Sequence, residues 1–171
     1  MQPSRRARST RAGEAPERAV DGPSLRAAAI RLLARREYPR AELAQRLRAR
    51  GASPDEVERV LDALAADGYL SDTRFAHMLV QSRAGRFSGR AIAHELRERG
   101  VDREVAAAAL EPLREHDELA QATALWQRRF GAAPRDEREK ARQVRFLLSR
   151  GYALGTALRV IKAAGAIEDA P

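Results

Sequence analysis

Arginine and histidine side chains at helical spacing are the residues of this sequence best suited to bind another molecule. Arg90, His94 and Arg97 lie four and three residues apart, so a helix would bring all three to one face. A second stripe with the same spacing consists of Arg138, Arg142 and Arg145. Guanidinium groups bind phosphate and carboxylate oxygens, so the two stripes predict an acidic ligand unless they are solvated helix faces.

A further arginine stands before glycine at the end of a segment that occurs three times. The copies are Leu47-Arg-Ala-Arg-Gly51, Leu96-Arg-Glu-Arg-Gly100 and Leu147-Leu-Ser-Arg-Gly151, with their glycines 49 and 51 residues apart. Arg50, Arg99 and Arg150 would each lie in the last turn of a helix, where a cation stabilises the negative end of the helix dipole by about 0.3–1 kcal/mol. Alternatively, the three arginines line one concave face and bind phosphates or carboxylates.

We predict that partner or nucleic-acid contacts come from the basic residues of these middle helices and of the segment before the central one. The candidate residues are Arg46, Arg50, Arg83, Arg86, Arg90, His94, Arg97, Arg99, Arg142, Arg145 and Arg150. The net charge of +8, from 32 basic and 24 acidic side chains, is consistent with an acidic partner such as single- or double-stranded DNA. Acidic residues are interleaved throughout, which weakens that inference.

The sequence contains no comparable pattern that indicates an enzyme. The chain has no cysteine, its three histidines are dispersed, and its glycines form no phosphate-binding loop. We therefore predict no catalytic residues, no metal and no cofactor. No stretch approaches the roughly 20 apolar residues that a bilayer crossing requires, and no apolar segment follows the N-terminal arginines, so we expect a cytoplasmic protein.

The elements that must position the arginines are helices. Alanine, leucine, arginine and glutamate dominate the composition, and apolar residues recur at helical spacing. The repeat predicts an all-α chain of three tandem three-helix units, at residues 23–70, 71–114 and 115–171, that form an elongated, curved array. Residues 1–22 contain five arginines and almost no large apolar side chains, which predicts a disordered basic arm.

Helix boundaries follow from capping residues, glycine and proline. We expect Ser24 to cap a first helix that continues until Tyr38-Pro39 ends it, and Ser53 to cap a third helix that begins at Pro54. Asp72 and Asp102 are the expected caps of the first and last helices of the central unit. We expect the last helix of the chain to finish near Gly165, with Gly155 weakening it by about 1 kcal/mol relative to alanine.

A helix-turn-helix DNA-binding regulator is the alternative from another functional class. Residues 40–50 and 55–64 would be its two helices. The exposed positions of the second helix include Asp55, Glu56, Glu58 and Asp62, with Arg59 as the basic exception. This acidic face argues against recognition of bases in the major groove.

Two segments resemble the signatures of a known family. The first segment is Gly68-Tyr-Leu-Ser-Asp72-Thr-Arg-Phe75-Ala76. The second is Gly89-Arg-Ala-Ile92-Ala-His-Glu95-Leu96-Arg-Glu-Arg99-Gly100-Val101, and Arg83 lies between them. Together they resemble the core of RecX, the bacterial regulator of the RecA recombinase. Residues 142–152 are similar to its C-terminal signature. The similarity extends over about residues 24–165. Two departures are Ser71, where the family often has an acidic residue, and Gly155, which puts the rigidity of the third unit in doubt.

The resemblance implies a non-catalytic protein of tandem three-helix repeats that binds RecA filaments on DNA. It also implies inhibition of ATP hydrolysis and strand exchange, in the setting of DNA repair, recombination and the SOS response. We expect the protein to act as a monomer. Because the signature contains no individually assigned contact residue, the resemblance indicates the partner more firmly than the site.

Overall fold

A computed structural model of the chain describes residues 22–114 and 117–168, and these residues form nine α-helices without a β-strand. The helices are α1 (Gly22–Leu33), α2 (Arg40–Arg48), α3 (Pro54–Ala66), α4 (Asp72–Arg83), α5 (Gly89–Glu98), α6 (Arg103–Arg114), α7 (Glu118–Arg129), α8 (Glu137–Ser149) and α9 (Leu154–Glu168). The all-α prediction is confirmed. The predicted arm at residues 1–22 lies outside the described residues, except that α1 begins at Gly22.

Each consecutive triplet of helices encloses its own hydrophobic core. Leu43 and Leu61 lie in the first core, Phe75 and Leu96 in the second, and Tyr152 in the third, all of them buried. Helix–helix packing is concentrated within each triplet, for example between α4 and α6 and between α8 and α9. We call the triplets repeats 1, 2 and 3. The borders proposed at residues 70/71 and 114/115 stay a prediction.

Two predicted caps are confirmed and two are wrong. Asp102 caps α6, because its Oδ1 accepts a hydrogen bond from Glu104 N at 2.7 Å. Ser53 Oγ accepts a hydrogen bond from Glu56 N at 3.3 Å, while Glu56 Oε2 accepts one from Ser53 N at 3.0 Å, which completes a capping box. Ser24 lies inside the first turn, because α1 already begins at Gly22. Ser71, and not Asp72, caps α4, with Ser71 Oγ accepting from the amide of residue 74 at 3.2 Å.

Two helix ends also differ from the expectation. Helix α1 ends at Leu33, several residues before the proline that was expected to stop it. Helix α9 continues to Glu168, beyond Gly165. Gly155 occupies the second position of α9, where the backbone amide has no intrahelical partner to lose, so it interrupts nothing in the helix interior. No helix in the described part of the chain is long and apolar enough to span a membrane.

The middle helices of consecutive repeats meet end to end at glycine residues. Gly100 follows the C-terminal end of α5 and has a φ of 76°. A Cβ atom at this position would lie 2.5 Å from Ala41 Cβ in the first turn of α2. Gly151 follows α8 in the same way, and its Cβ would lie 2.5 Å from Ala91 Cβ at the start of α5. Glycine is therefore required at both junctions for close approach as well as for positive φ.

Polar contacts complete the two junctions with different chemistry. Between repeats 1 and 2, Asp72 Oδ1 accepts a hydrogen bond from Arg40 N at 2.7 Å. Between repeats 2 and 3, Ser88 Oγ donates to Gly151 O at 2.8 Å, and Ser88 N donates to Arg150 O at 2.9 Å. Asp72, the expected cap, thus connects two repeats.

A carboxylate shared by two arginines ties α4 to α5 and extends to the first junction. Arg83 Nε and Nη2 donate to the two oxygens of Glu95 at 2.9 and 3.0 Å, and Arg99 Nη2 donates to Glu95 Oε1 at 2.9 Å. Arg99 also lies 3.5 Å from Glu42 Oε2 of α2. The hydrogen bonds from Arg83 lower the pKa of Glu95 against the opposing effect of burial, and the same contact raises the pKa of Arg83.

We predict that Gly100→Ala destabilises the protein more than Gly51→Ala. Both substitutions place alanine at positive φ, which costs about 1–2 kcal/mol. Only Gly100 has a neighbour against which a Cβ would clash, since nothing lies within 4 Å of the Cβ position at Gly51. Overpacking should add about 1–3 kcal/mol at Gly100. Urea unfolding of the two variants measures the difference, and equal destabilisation would show that the junction contributes nothing.

The Glu95 ion pairs predict a dependence of stability on pH. Because the folded-state pKa of Glu95 is lowered, its contribution is present above the unfolded-state pKa of about 4.3 and is lost as pH falls through the folded-state value. The free energy of unfolding of the wild type should therefore exceed that of Glu95→Gln at neutral pH, with the gap closing below about pH 4. Urea titrations from pH 3 to 7 test this, with Glu98→Gln, an exposed neighbour on α5, as the control.

Candidate partner-binding surface

Several of the predicted contact arginines already have partners within the fold. Arg46 pairs with Glu42 at 3.2 Å, and Arg83 and Arg99 share Glu95. Arg90 is exposed, as expected for a solvated face, but its Nη2 donates to Gly151 O at 2.8 Å across the junction between repeats 2 and 3. These side chains would have to leave existing partners before they could bind a ligand.

The three arginines that precede glycine do not share one environment. Arg99 lies between two carboxylates, as described above. Arg150 lies between two aromatic rings, with its guanidinium carbon 5.0 Å from the centre of Phe87 and 5.3 Å from that of Phe146. Arg50 is exposed, and no earlier repeat packs against it within the described residues. Arg99 and Arg150 therefore act at junctions, and Arg50 is the copy at the open end of the array.

The remaining candidates face solvent. Arg86, Arg97 and Arg145 are exposed and have no carboxylate partner among residues 22–114 and 117–168. Arg97 Nη2 lies 3.5 Å from His94 Nδ1, and Arg142 Nη2 lies 3.8 Å from Glu139 Oε1. The exposed candidates, with Arg50, are thus spread over all three repeats.

Repeat 3 contains a groove in which arginine and phenylalanine alternate. We call it the Arg–Phe groove, and it is lined by Arg129, Phe130, Arg142, Arg145, Phe146 and Ser149. The rings of Phe130 and Phe146 meet edge to face with their centres 5.3 Å apart. The guanidinium carbons of Arg129 and Arg142 lie 5.6 and 5.8 Å from the centre of Phe130. Such contacts fall within the range of cation–π attraction.

The Arg–Phe groove continues towards repeat 2 through Arg150. This side chain connects Phe146 to Phe87, which lies in the loop between α4 and α5. Arg128 of α7 reaches the same loop and donates to Gly85 O. Cationic and aromatic groups therefore form a continuous series from α7 and α8 to the loop that carries the exposed Arg86.

Three exposed leucines in repeat 3 occupy positions that are not leucine in the other repeats. Leu148, Leu154 and Leu158 have exposed fractions of 40, 55 and 42 %. Counted from the repeated glycine, the equivalent residues are Arg48, Pro54 and Glu58 in repeat 1 and Arg97, Arg103 and Ala107 in repeat 2. We call these leucines the leucine patch.

The leucine patch has the composition of a protein-contact surface. Leu154 and Leu158 lie one helical turn apart on α9, and Leu148 lies near the C-terminal end of α8. Exposed cations, Arg145, Arg159 and Lys162, lie within one turn along α8 and α9. Exposed apolar side chains with charged neighbours are typical of interaction sites on soluble proteins.

Sequence reasoning identified Arg142, Arg145 and Arg150 but missed their aromatic neighbours and the leucines. Phe130 and Phe146 each follow a basic residue directly, which was an available signal. Comparing the three copies position by position would have exposed the leucine patch. In the described part of the chain, no group of three histidine, aspartate or glutamate side chains is arranged to hold a metal ion.

Comparisons of this chain with family models and with solved structures agree on one family. Three family models match in chain order: the first three-helix domain of RecX at residues 26–64, the second at residues 71–110 and the third at residues 116–161. Among solved structures, the crystal structure of RecX from Lactobacillus salivarius matches with a TM-score of 0.67 and 17 % sequence identity. The match covers 85 % of this chain and 97 % of the Lactobacillus salivarius chain. At that identity the likeness concerns the fold alone.

Curated relatives extend the similarity to sequence. The regulatory protein RecX of Chromobacterium violaceum is 44 % identical over 151 residues, covering 88 % of this chain and 97 % of the relative. That of Halorhodospira halophila is 50 % identical over 148 residues, covering 85 % of this chain and 89 % of the relative. With three domains matched in order and nearly the whole of these relatives aligned, the chain belongs to the RecX family.

Proposed function

We propose that this protein is a non-catalytic regulator of the RecA recombinase that binds the RecA filament on DNA and suppresses ATP hydrolysis and strand exchange. The observation that carries the proposal is the match of all three RecX domains in order, together with relatives named regulatory protein RecX. The array of small repeats supports it, because repeated units can contact successive protomers of a helical filament.

Repeat 3 supplies the surface that best supports contact with filament protein. The leucine patch offers apolar area that can be removed from water, at roughly 25 cal/mol per Å². Its neighbouring cations, among them Arg159 and Lys162, suit an acidic rim on the partner. Repeats 1 and 2 have charged or smaller residues at the equivalent positions, so we assign the principal protein contact to α8 and α9.

The helix-turn-helix alternative has less support. In that alternative α3 would be the recognition helix, and it would present Asp55 and Asp62, both exposed, to the DNA. Arg40 and Arg48 are near this face but are paired with carboxylates, with Arg40 Nη2 2.7 Å from Glu58 Oε2 and 2.6 Å from Asp62 Oδ1. These two cations are therefore already paired, whereas major-groove recognition uses side chains that are available to bond to bases.

The proposed function predicts that the purified full chain inhibits the DNA-dependent ATPase of RecA at stoichiometric amounts. Inhibition should follow from binding to the filament, so it should also appear as co-sedimentation with RecA on single-stranded DNA. Steady-state ATP hydrolysis with increasing amounts of the chain measures it. An unchanged hydrolysis rate together with no co-sedimentation would refute the proposed function.

The assignment of the protein contact predicts that Leu154→Asp with Leu158→Asp weakens inhibition at least about tenfold, equivalent to 1.4 kcal/mol of binding free energy. Both side chains are exposed, so thermal unfolding should change little. Met78→Asp is the matched control, because Met78 is an exposed apolar residue on α4 with an exposed fraction of 38 %. Equal loss of inhibition in the control would show that the leucine patch has no special role.

A further inference from the structure

We infer that the junction between repeats 1 and 2 is a hinge that loosens as ionic strength rises, whereas the junction between repeats 2 and 3 keeps its geometry. The two junctions share a close contact at glycine but differ in the chemistry of their polar contacts. The hinge is a property of the free chain, so it goes beyond the proposed regulation of RecA and does not rest on it.

The polar contacts across the first junction each include a carboxylate. Arg74 Nε of α4 donates to Glu37 Oε1, in the loop before α2, at 2.8 Å. Arg99 Nη1 lies 3.5 Å from Glu42 Oε2 of α2. The third contact is the hydrogen bond that Asp72 accepts from the first backbone amide of α2. Attraction that involves a full negative charge therefore holds repeat 1 against repeat 2.

The contacts across the second junction have neutral acceptors. Ser88 forms two hydrogen bonds with backbone carbonyls of repeat 3, and Arg90 Nη2 donates to Gly151 O at 2.8 Å. In the opposite direction, Arg128 of repeat 3 donates to Gly85 O of repeat 2. Dissolved ions screen the attraction between two opposite charges, and these contacts contain no such pair.

Exposure to solvent adds to the difference between the junctions. The exposed side-chain fractions are 30 and 47 % for Glu37 and Arg74, and 22 and 34 % for Glu42 and Arg99. Ser88, in contrast, is 2 % exposed. The screening length falls from about 10 Å at 0.1 M salt to about 3 Å at 1 M, and partly exposed pairs are weakened more than buried ones. Salt therefore acts on the first junction.

The ion pair between Glu42 and Arg99 can break without leaving a charge alone. Glu42 Oε1 keeps Arg36 at 2.6 Å and Arg46 at 3.2 Å, and Arg99 keeps Glu95 at 2.9 Å. An uncompensated charge is a major cost of breaking a buried pair, and none arises here. Because each repeat has its own hydrophobic core, the repeats can turn relative to each other while both cores stay intact.

Distances between paired nitroxide labels test the inference by pulsed electron–electron double resonance in the full chain, without RecA or DNA. The chain has no cysteine, so label sites can be introduced at Ala65→Cys with Ala108→Cys across the first junction, and at Ala108→Cys with Ala163→Cys across the second. All three alanines are exposed helix positions. Between about 0.1 and about 1 M sodium chloride, the distance distribution of the first pair should broaden and shift, and that of the second should stay unchanged. An unchanged first pair, or equal broadening of both pairs, would overturn the inference.

The double variant Glu37→Gln with Glu42→Gln tests the carboxylates directly. It removes both ion pairs across the junction, so the first label pair should show at low salt the broad distribution that the wild type reaches at high salt. Asp55→Asn with Glu137→Gln is the matched control, because it removes the same charge from exposed positions in the first turns of α3 and α8. Equal effects of the two double variants would reduce the motion to net charge and overturn the hinge.

Circular dichroism distinguishes a moving hinge from unfolding. Helix content should be the same at both salt concentrations and in both double variants, because the carboxylates lie outside the hydrophobic cores. Loss of helix content in parallel with the broadening would also overturn the hinge. Since RecA is absent, these outcomes are independent of the ATPase test of the proposed function.

Discussion

The close approach of a glycine to the first turn of a neighbouring helix is the constraint on which the array depends. Gly100 against Ala41 and Gly151 against Ala91 leave no room for a side chain, and the positive φ at each glycine turns the chain into the next helix. Each repeat has its own hydrophobic core. The close contacts and hydrogen bonds at the junctions connect these separate cores and orient one repeat relative to the next.

The same junctions determine which arginines are available. Arg99 meets Glu42 and Glu95, Arg90 meets the carbonyl of Gly151, and Arg150 lies between two phenylalanines. A cation engaged in this way stabilises the fold, and it would have to leave its partner in order to bind a ligand. Repeat 3 differs because exposed leucines stand on its α8 and α9 at positions that are not leucine in the other repeats. The exposed leucines, and the groove of arginines and phenylalanines, are thus features of repeat 3.

Much of the fold could be predicted from sequence, because helix-forming residues, caps and glycine stops are local signals. Ser53 with Glu56 formed the expected capping box, and the repeated glycines ended the expected helices. Asp72 was assigned wrongly because an aspartate beside a serine can cap a helix or bond to something outside it. Only the packing of repeat 1 against repeat 2 places Arg40 N where Asp72 can reach it.

The sequence alone determined the helices, the three-fold repeat and the position of the basic residues, since each depends on neighbours within a few turns. Tertiary structure alone decided which of those basic residues are free. That outcome depends on residues from different helices. Glu95 forms an ion pair with Arg83 within one repeat, whereas Phe87 of repeat 2 contacts Arg150 of repeat 3. No local pattern encodes such contacts, because they arise only when the helices of one repeat, or two neighbouring repeats, have packed against each other.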